Sequence, residues 1–149
     1  MAHLFFKLYG LPTVCLRYFN VYGERQLVEG AYSTVIGIFL KQKKEKKPLT
    51  IVGNGNQRRD FTYVKDVVRA NILAMKSKKA VGHLINIGSG HNYSVNEVAK
   101  LIDENHVFIP PRPGESRVTL ANISKAKKML GWRPQTQLSD WLKNAKIQK

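Results

Sequence analysis

The sequence predicts a protein of the α/β class, or of the α+β class if its strands are grouped apart from its helices. Short β-branched runs alternate with segments whose apolar residues recur at helical spacing. The two best strands, Thr13–Arg17 and His83–Ile87, lie far apart in the chain. A parallel strand with nothing beside it exposes its ladder groups, so we expect both strands to belong to a larger sheet whose other strands are missing.

The first third of the chain predicts helix, strand, loop and helix in that order. Met1–Tyr9 is interpreted as the end of a helix, and Thr13–Arg17 as a buried strand that begins after Pro12. Tyr18–Gly30 has few periodic apolar residues and predicts a long loop. A helix is expected from about Tyr32 to Lys46, where the following proline ends it. Its apolar face consists of Val35, Ile36, Phe39 and Leu40.

The remaining elements follow from the same patterns of spacing, turn residues and caps. In chain order, we expect a strand over Leu49–Val52, a turn over Gly53–Asn56, a helix over Val64–Met75, a strand over His83–Ile87, a helix opened by the capping box of Ser94 and Glu97, a strand over Val107–Ile109, a stiff loop over Pro110–Gly114, a short helix capped by Asn122 and stopped by Gly131, and a last helix over Leu138–Ala145.

Length and composition exclude several classes of protein. The chain has 149 residues, which suits one domain, and no apolar run approaches the ~20 residues that span a bilayer. Cys15 is the only cysteine, so no internal disulfide can form, and a reducing cytoplasm is expected. The four histidines lack ligand spacing, so no metal site is expected.

The formal net charge of +15 favours anionic partners, among them nucleic acid and nucleotide diphosphates. Much of this charge lies in Lys41–Lys47 and in Lys76, Lys78 and Lys79. Both runs follow amphipathic segments, so we interpret them as solvated helix ends, where lysine offsets the helix dipole.

Four segments could carry binding chemistry. Arg17–Gln26 runs from the end of a strand into a loop, where ligands bind in open α/β sheets, although from spacing alone an ordinary strand-to-loop transition with a turn at Gly23 explains it better. Arg58–Val67 places two arginines before a helix, a plausible anion site; the alternative is that Asp60 pairs locally with an arginine while Phe61 packs in the core.

The other two segments are a proline-rich loop and a glycine-containing turn. Pro110–Glu115 is a stiff loop that presents one arginine and one carboxylate, or else a plain surface connection. Asn86–Gly90 lacks the third glycine and the Lys-Ser/Thr pair of a phosphate loop, so turn geometry explains it better.

Taken in order, these segments resemble the C-terminal half of the NAD-dependent epimerase/dehydratases, which are extended short-chain dehydrogenases, and UDP-glucose 4-epimerase-like proteins above all. The resemblance covers residues 9–142. It implies the C-terminal portion of an extended Rossmann-type fold: a few strands of the parallel sheet plus the small mixed α/β substrate-binding domain. Residues 1–149 would form this single portion, without the N-terminal NAD-binding Rossmann unit.

The resemblance also implies site residues. Asn20 and Arg112 match residues that contact the diphosphate, and Arg59 matches one that binds the phosphate or ribose region. Glu115 matches an acidic residue that binds the ribose hydroxyls. The strand Leu49–Val52 matches a segment whose backbone meets the uracil base.

Within that strand, Thr50 and Val52 are taken as substrate-binding residues, and Tyr18 and Phe19 match residues that lie against the nicotinamide. The chain departs from the family pattern at Glu24, where proline is usual, at Asn122, where aspartate is usual, and at Trp141, where a small residue is usual. Gly37 also stands where a proline often begins the helix.

The family's redox machinery is not in this sequence. There is no G-x-x-G-x-x-G, and none of the six tyrosines has lysine at the fourth position after it. In the family, such a tyrosine is the acid/base and NAD removes and returns a hydride. We therefore expect no catalytic residue here, and NAD to be bound by the complete family enzyme but not by this chain alone.

The expected function is the nucleotide-sugar-binding part of a UDP-glucose-like 4-epimerase, inactive by itself. Expected partners are a UDP-sugar and either an N-terminal Rossmann half or a homodimer partner, with no membrane. One alternative is a basic nucleic-acid-binding module, which only the net charge favours. The other is an assembly subunit that completes a Rossmann partner. Epimerases, dehydratases and decarboxylases share these motifs, so the sugar stays open.

Overall fold

Helices and short strands alternate along the part of the chain that the computed structural model describes, residues 1–30 and 33–145. The helices are α1 Ala2–Tyr9, α2 Val35–Lys44, α3 Val64–Lys76, α4 Val95–Ile102, α5 Ser124–Leu130 and α6 Leu138–Ala145, with a 3₁₀ turn over Lys78–Ala80. The strands are β1 Cys15–Tyr18, β2 Val21–Tyr22, β3 Leu49–Val52, β4 Arg58–Asp60, β5 Thr62–Tyr63, β6 Leu84–Ile87, β7 Asn92–Ser94 and β8 His106–Ile109.

The strands associate in pairs. β1 lies parallel to β6, β2 to β5, and β3 to β8, whereas β4 lies antiparallel to β7. In the register of the first pair, Cys15 stands opposite Leu84 and Tyr18 opposite Ile87. Parallel pairs joined through helices, with one antiparallel pair, are the mixed α/β arrangement that the sequence predicts.

Two apolar cores hold these pairs together. The first lies among α2, α4, α6 and β3, where Phe39, Leu49 and Leu142 are almost fully buried. The second lies among α3, α5 and β6 and contains Trp132, which is 1% exposed. The indole Nε1 of Trp132 donates to the carbonyl of Asp66 at 2.9 Å, so its one polar group is satisfied inside the core.

Several local predictions are confirmed. α1 ends at Gly10, and α2 ends before Pro48. Ser94 and Glu97 form both hydrogen bonds of the expected capping box at the start of α4. α5 stops at Gly131, whose φ of 62° lies in the left-handed region that glycine adopts easily.

The prediction of one long loop over Tyr18–Gly30 is wrong. Tyr18 is the last residue of β1, and Val21–Tyr22 forms β2 beside β5. Tyr22 is 1% exposed and belongs to the first core. A strand of two residues has no period, so alternation in the sequence cannot reveal it.

The starts of two helices and one strand pair also differ from the prediction. The predicted helix start at Tyr32 lies outside the described residues; α2 itself begins at Val35, because Thr34 caps it by accepting from the backbone N–H of Gly37 at 3.1 Å. The N-cap of α5 is Ile123 and not Asn122, whose side chain instead accepts from the N–H of Ser124 at 3.0 Å. The pair β4–β7 was not expected, since Arg58–Asp60 carries no apolar alternation.

Within residues 1–30 and 33–145, no helix has the length and apolar character that crossing a membrane requires.

Candidate functional site

A cavity of about 350 Å³ lies between the start of α2, the strands β3 and β4, and the loop Pro110–Glu115. It brings together all six residues that the sequence predicts for substrate binding: Asn20, Thr50, Val52, Arg59, Arg112 and Glu115. Its apolar wall includes Ile38, Phe61, Val95 and Ile109. Side chains from opposite ends of the chain therefore meet in one concave, partly apolar space, as ligand sites do.

Arg59 projects from β4 into this cavity and is held at two points. Its Nη1 donates to the carbonyl of Arg58 at 3.0 Å, and its Nη2 donates to Glu115 Oε1 at 3.1 Å. The two side chains are 14% and 34% exposed, so the ion pair is partly shielded from water. Two expected ligand-binding residues thus bind each other.

Asp60, next along β4, fixes the floor of the site from inside the protein. Its carboxylate is fully buried and accepts from the N–H and the hydroxyl of Ser89, both at 2.7 Å, and from the N–H groups of Gly90 and Ala121, both at 3.0 Å. The alternative is therefore wrong in pairing Asp60 with a neighbouring arginine, and it is confirmed in placing Phe61 in the core, where Phe61 is 3% exposed. The turn around Ser89 binds this carboxylate with the N–H groups that a phosphate loop would offer.

Asn20 lies where β1 leads into β2, with a left-handed φ of 31° that asparagine tolerates better than most residues. Its Nδ2 donates to the carbonyl of Asp60 at 2.8 Å and to Thr119 Oγ1 at 3.3 Å. The side-chain amide therefore joins the end of β1 to β4 and to Thr119, which lies after the proline-rich loop. The long bond to Thr119 is the weaker of the two and the easier for a ligand oxygen to replace.

Strand β3 presents one edge to this cavity. Leu49 and Gly53 donate toward β8 at 2.9 and 2.8 Å, so the backbone groups of Thr50 and Val52 point the other way. Two glutamines occupy half of that edge. Gln42 Oε1 accepts from the N–H of Thr50 at 3.1 Å, and Gln57 Nε2 donates to the carbonyl of Val52 at 3.0 Å.

The other half of that edge consists of the carbonyl of Thr50 and the N–H of Val52. Neither group has a partner among the hydrogen bonds of the described residues. One acceptor and one donor, two residues apart, thus face the cavity.

Arg112 lies on the stiff loop and is exposed, and it forms no ion pair with any residue in the described part of the chain. The same cavity is also lined by Ser33, by the N-cap residue Thr34 and by Val35, the first residue of α2.

The two residues expected to face a cofactor lie elsewhere. Tyr18 is 49% exposed, and its hydroxyl donates to Asn71 Oδ1 on α3 at 2.9 Å. It lines a different cavity, of about 590 Å³, between β1 and α3. Phe19 packs against the second core. Their role toward a nicotinamide remains a prediction.

Reasoning from the sequence missed the two glutamines that fill half of the β3 edge, and the capping residue Thr34. Gln42 lies on the polar face of α2, where a solvated side chain is the ordinary expectation, and only the folded chain brings it to Thr50. Gln57 precedes the arginine pair, but nothing in the sequence shows that its side chain donates to the carbonyl of Val52. In residues 1–30 and 33–145, no cluster of three potential metal ligands occurs.

The family model described as the NAD dependent epimerase/dehydratase family matches residues 1–88. The chain belongs to this family. A putative UDP-glucose 4-epimerase of Methanocaldococcus jannaschii is 40% identical over 155 residues, which cover 95% of this chain and 49% of that protein. The chain thus spans about half the length of the curated relatives that it matches.

Solved structures agree with this family membership. The UDP-glucose 4-epimerase of Thermotoga maritima, solved with UDP-glucose, superposes with a TM-score of 0.86 at 39% identity and covers 94% of this chain and 46% of that one. The UDP-glucuronic acid 4-epimerase of Bacillus cereus, solved with UDP-glucuronic acid and NAD, gives a TM-score of 0.83 at 39% identity, with coverages of 95% and 46%. The fold is therefore that of the extended short-chain dehydrogenase epimerases, matched over part of their length.

Proposed function

We propose that this chain forms the nucleotide-sugar-binding part of an NAD-dependent UDP-sugar 4-epimerase, and that the cavity at Arg59 binds the nucleoside diphosphate. One observation carries the proposal: Asn20, Arg59 and the loop residues Arg112 and Glu115, which come from three distant segments of the chain, converge on a cavity that also contains the open edge of β3.

The charges of the cavity suit a diphosphate. Two guanidinium groups against one carboxylate leave a single net positive charge, and guanidinium binds phosphate oxygens bidentately. A diphosphate would bind Arg112 directly and would compete with Glu115 for Arg59. Once released, the Glu115 carboxylate can accept from ribose hydroxyls, which are donors that a bare phosphate lacks.

The β3 edge suits the base of such a ligand. The carbonyl of Thr50 and the N–H of Val52 complement the imide edge of uracil, which presents an N–H donor beside a carbonyl acceptor. Thymine presents the same pair, whereas cytosine presents an acceptor where uracil has its donor. Phe61, Val95 and Ile109 supply apolar surface for the flat ring.

The chemical step is proposed to lie outside this chain. The sequence has neither the glycine-rich NAD loop nor the Tyr-x-x-x-Lys pair, and the N–H groups of the Gly88–Gly90 turn already bind Asp60. We therefore propose that the chain alone binds the nucleotide sugar without NAD and without turnover. In the complete enzyme, NAD supplies hydride removal and return.

A Rossmann unit would complete the sheet at β1. Cys15 and Phe19 donate toward β6 at 3.0 and 3.1 Å, so the N–H groups of Leu16 and Tyr18 point to the other edge, where no described strand lies. The cavity beside this edge has apolar walls from β1 and α3. A parallel strand added beside β1, together with its helices, would cover both the open edge of β1 and this cavity.

The sugar is proposed only as a class. The solved relatives described above carry UDP-glucose in one case and UDP-glucuronic acid in the other, and the nucleotide half of the cavity does not separate them. A cytoplasmic location is likewise proposed, with support from the single free cysteine, Cys15.

Titration of the 149-residue chain with UDP in a calorimeter tests the proposed site. Arg112→Gln should weaken UDP binding by about tenfold or more, because a hydrogen bond to a charged group contributes about 1.5–3 kcal/mol. Lys128→Gln is the matched control; it also removes one positive charge, but on the exposed side of α5. CDP should bind more weakly than UDP because its ring mismatches the β3 edge.

The proposal fails if the folded chain gives no heat with UDP, or if Arg112→Gln and Lys128→Gln bind UDP equally well. Equal affinities for UDP and CDP would refute the assignment of the base to β3 alone.

A further inference from the structure

The carboxylate of Glu24 joins three separate parts of the chain next to the candidate site. Tyr63 donates its hydroxyl hydrogen to Glu24, with distances of 2.8 Å to Oε1 and 3.1 Å to Oε2. The indole Nε1 of Trp141 on α6 donates to Oε1 at 3.4 Å. The backbone N–H of Glu24 itself, followed by the Tyr63 hydroxyl, lowers the pKa of the carboxyl, so Glu24 is ionised at neutral pH and accepts these bonds as an anion.

Aromatic packing fixes the donors of this cluster. The ring centroids of Tyr22 and Trp141 are 5.2 Å apart in an edge-to-face arrangement, and those of Tyr22 and Tyr63 are 5.7 Å apart. Tyr22 is buried, and α6 is anchored to the first core by Leu138 and Leu142. The indole and the phenol therefore offer their polar atoms to Glu24 from rigid positions.

The backbone on either side of Glu24 is also constrained. Gly23 has a φ of 150°, and a Cβ there would lie 2.5 Å from Cγ1 of Val64, so the chain passes α3 at a point where only glycine fits. Two residues after Glu24, Gln26 Oε1 accepts from the Thr34 hydroxyl at 3.0 Å. Thr34 is the N-cap of α2 and lines the cavity.

Leu27, the residue after Gln26, also contacts α2. A Cβ at Gly37 would lie 2.6 Å from the carbonyl oxygen of Leu27, so the segment 26–27 lies directly against the first turn of α2. Further along, Glu29 forms an ion pair with Lys41 on the same helix. Hydrogen bonds thus join Trp141 and Tyr63 to Glu24, the backbone leads from Glu24 to Gln26, and a further hydrogen bond joins Gln26 to Thr34 at the cavity wall.

We propose that Glu24 is a positioning residue, which together with Tyr63 and Trp141 holds the α2 side of the cavity in its binding geometry. This inference rests on the proposed function, because it concerns the affinity of the same cavity. Trp141 and Tyr63, which are far apart in the sequence, both donate to the same carboxylate. Glu24, Tyr63 and Trp141 are called the latch.

The latch predicts two effects that an ordinary surface hydrogen bond would not produce. Loss of the carboxylate should loosen the first turn of α2, so the amide of Gly37, which donates to Thr34 Oγ1, should exchange its hydrogen faster. The same loss should lower the affinity for UDP even though Glu24 does not line the cavity.

The experiment compares Glu24→Ala, Trp141→Phe and the control Glu104→Gln in the 149-residue chain. Glu104 is exposed, and its side chain has no hydrogen bond or ion pair in the described part of the chain. Glu24→Ala should weaken UDP binding and speed exchange at Gly37 by about tenfold each, as expected for a lost hydrogen bond to a charged group. Trp141→Phe keeps the ring packing and removes one long bond, so both effects should be smaller, about twofold to threefold.

The latch is refuted if Glu24→Ala matches Glu104→Gln in UDP affinity while wild type binds UDP, or if exchange at Gly37 is unchanged. If wild type does not bind UDP, the proposed function fails, and exchange at Gly37 still decides whether the latch exists. Should Glu24→Ala not fold, Glu24→Gln replaces it, since its side-chain oxygen can still accept from Tyr63. Exchange at Gly37 that is faster than in wild type would then support the proposal, and wild-type exchange would refute it.

Discussion

The buried carboxylate of Asp60 is the residue on which most of the site depends. Four donors from two separate segments converge on its two oxygens, and its own carbonyl accepts from Asn20. Because every lone-pair direction is used, the charge is tolerated without an opposing cation. Arg59, its neighbour in β4, takes its position in the cavity from this fixed point.

Replacing Asp60 by asparagine should lower the free energy of unfolding by about 3 kcal/mol, because an amide nitrogen would face N–H donors and leave a buried donor without an acceptor. Urea denaturation at neutral pH measures this loss. Asp140→Asn, on the exposed first turn of α6, is the control and should cost less than about 1 kcal/mol. Equal losses in the two variants would contradict the role given to Asp60.

At the scale of the element, α4 is fixed at its first turn. The Ser94 hydroxyl accepts from the N–H of Glu97 at 3.1 Å, and the Glu97 carboxylate accepts from the N–H of Ser94 at 2.6 Å. The same carboxylate lies 3.1 Å from Nη2 of Arg58 on β4. The cap therefore also joins α4 to the strand that carries Arg59.

Ser94→Ala should lower the free energy of unfolding by about 1 kcal/mol, the usual cost of a lost N-cap.

Glu97 makes the stability of the cap depend on pH. The backbone N–H of Ser94, then its hydroxyl and the charge of Arg58, lower the pKa of Glu97. A lowered folded-state pKa contributes stability above the unfolded value of about 4.3, and this stability is lost as pH falls through the folded value.

Denaturation at pH 7 and pH 3 measures this contribution. Glu97→Gln should reduce the difference between the two pH values relative to wild type, whereas Glu104→Gln should leave it unchanged. An undiminished difference in Glu97→Gln would show that the cap carboxylate does not contribute.

Elements with a period could be predicted from the sequence, and elements defined by partners could not. The spacing of Val98, Ala99 and Ile102 and the capping box identify α4 from local residues alone. β2 and β5 have two residues each and exist only because they pair with each other. The same limit applies to the site: Arg59 and Arg112 are predicted from resemblance, but spacing alone could not show that Gln42 and Gln57 fill half of the β3 edge.

At the scale of the whole molecule, one side of the protein exposes apolar side chains of the kind that usually lie in a core. Val68, Ile72 and Met75 form a stripe along α3 and are 51%, 46% and 84% exposed. Tyr18 and the open edge of β1 lie beside Met75 around one cavity. Exposed apolar surface next to an unpaired strand edge is typical of a surface that another segment or chain covers.

The chain by itself should therefore self-associate through this side, and Met75→Lys should reduce the association while changing the free energy of unfolding by less than about 0.5 kcal/mol. Sedimentation velocity over a range of protein concentrations measures the association. Asn144→Lys, at an exposed position of α6, is the control because it adds the same single positive charge. A chain that stays monomeric at high concentration would contradict this prediction.

The ion pair between Arg59 and Glu115 has a kinetic consequence. Under the proposed function, a nucleotide approaching from a distance experiences the field of the whole protein, with a formal charge of +15, but on arrival it meets a guanidinium that is already paired with a carboxylate. Added salt should therefore slow the encounter strongly, because it screens the long-range field. Added salt should change the dissociation rate of the nucleotide much less. Inside the cavity, salt weakens the attraction of Arg59 for the phosphates, but it also weakens the attraction of Arg59 for the competing Glu115 carboxylate. These two effects oppose each other.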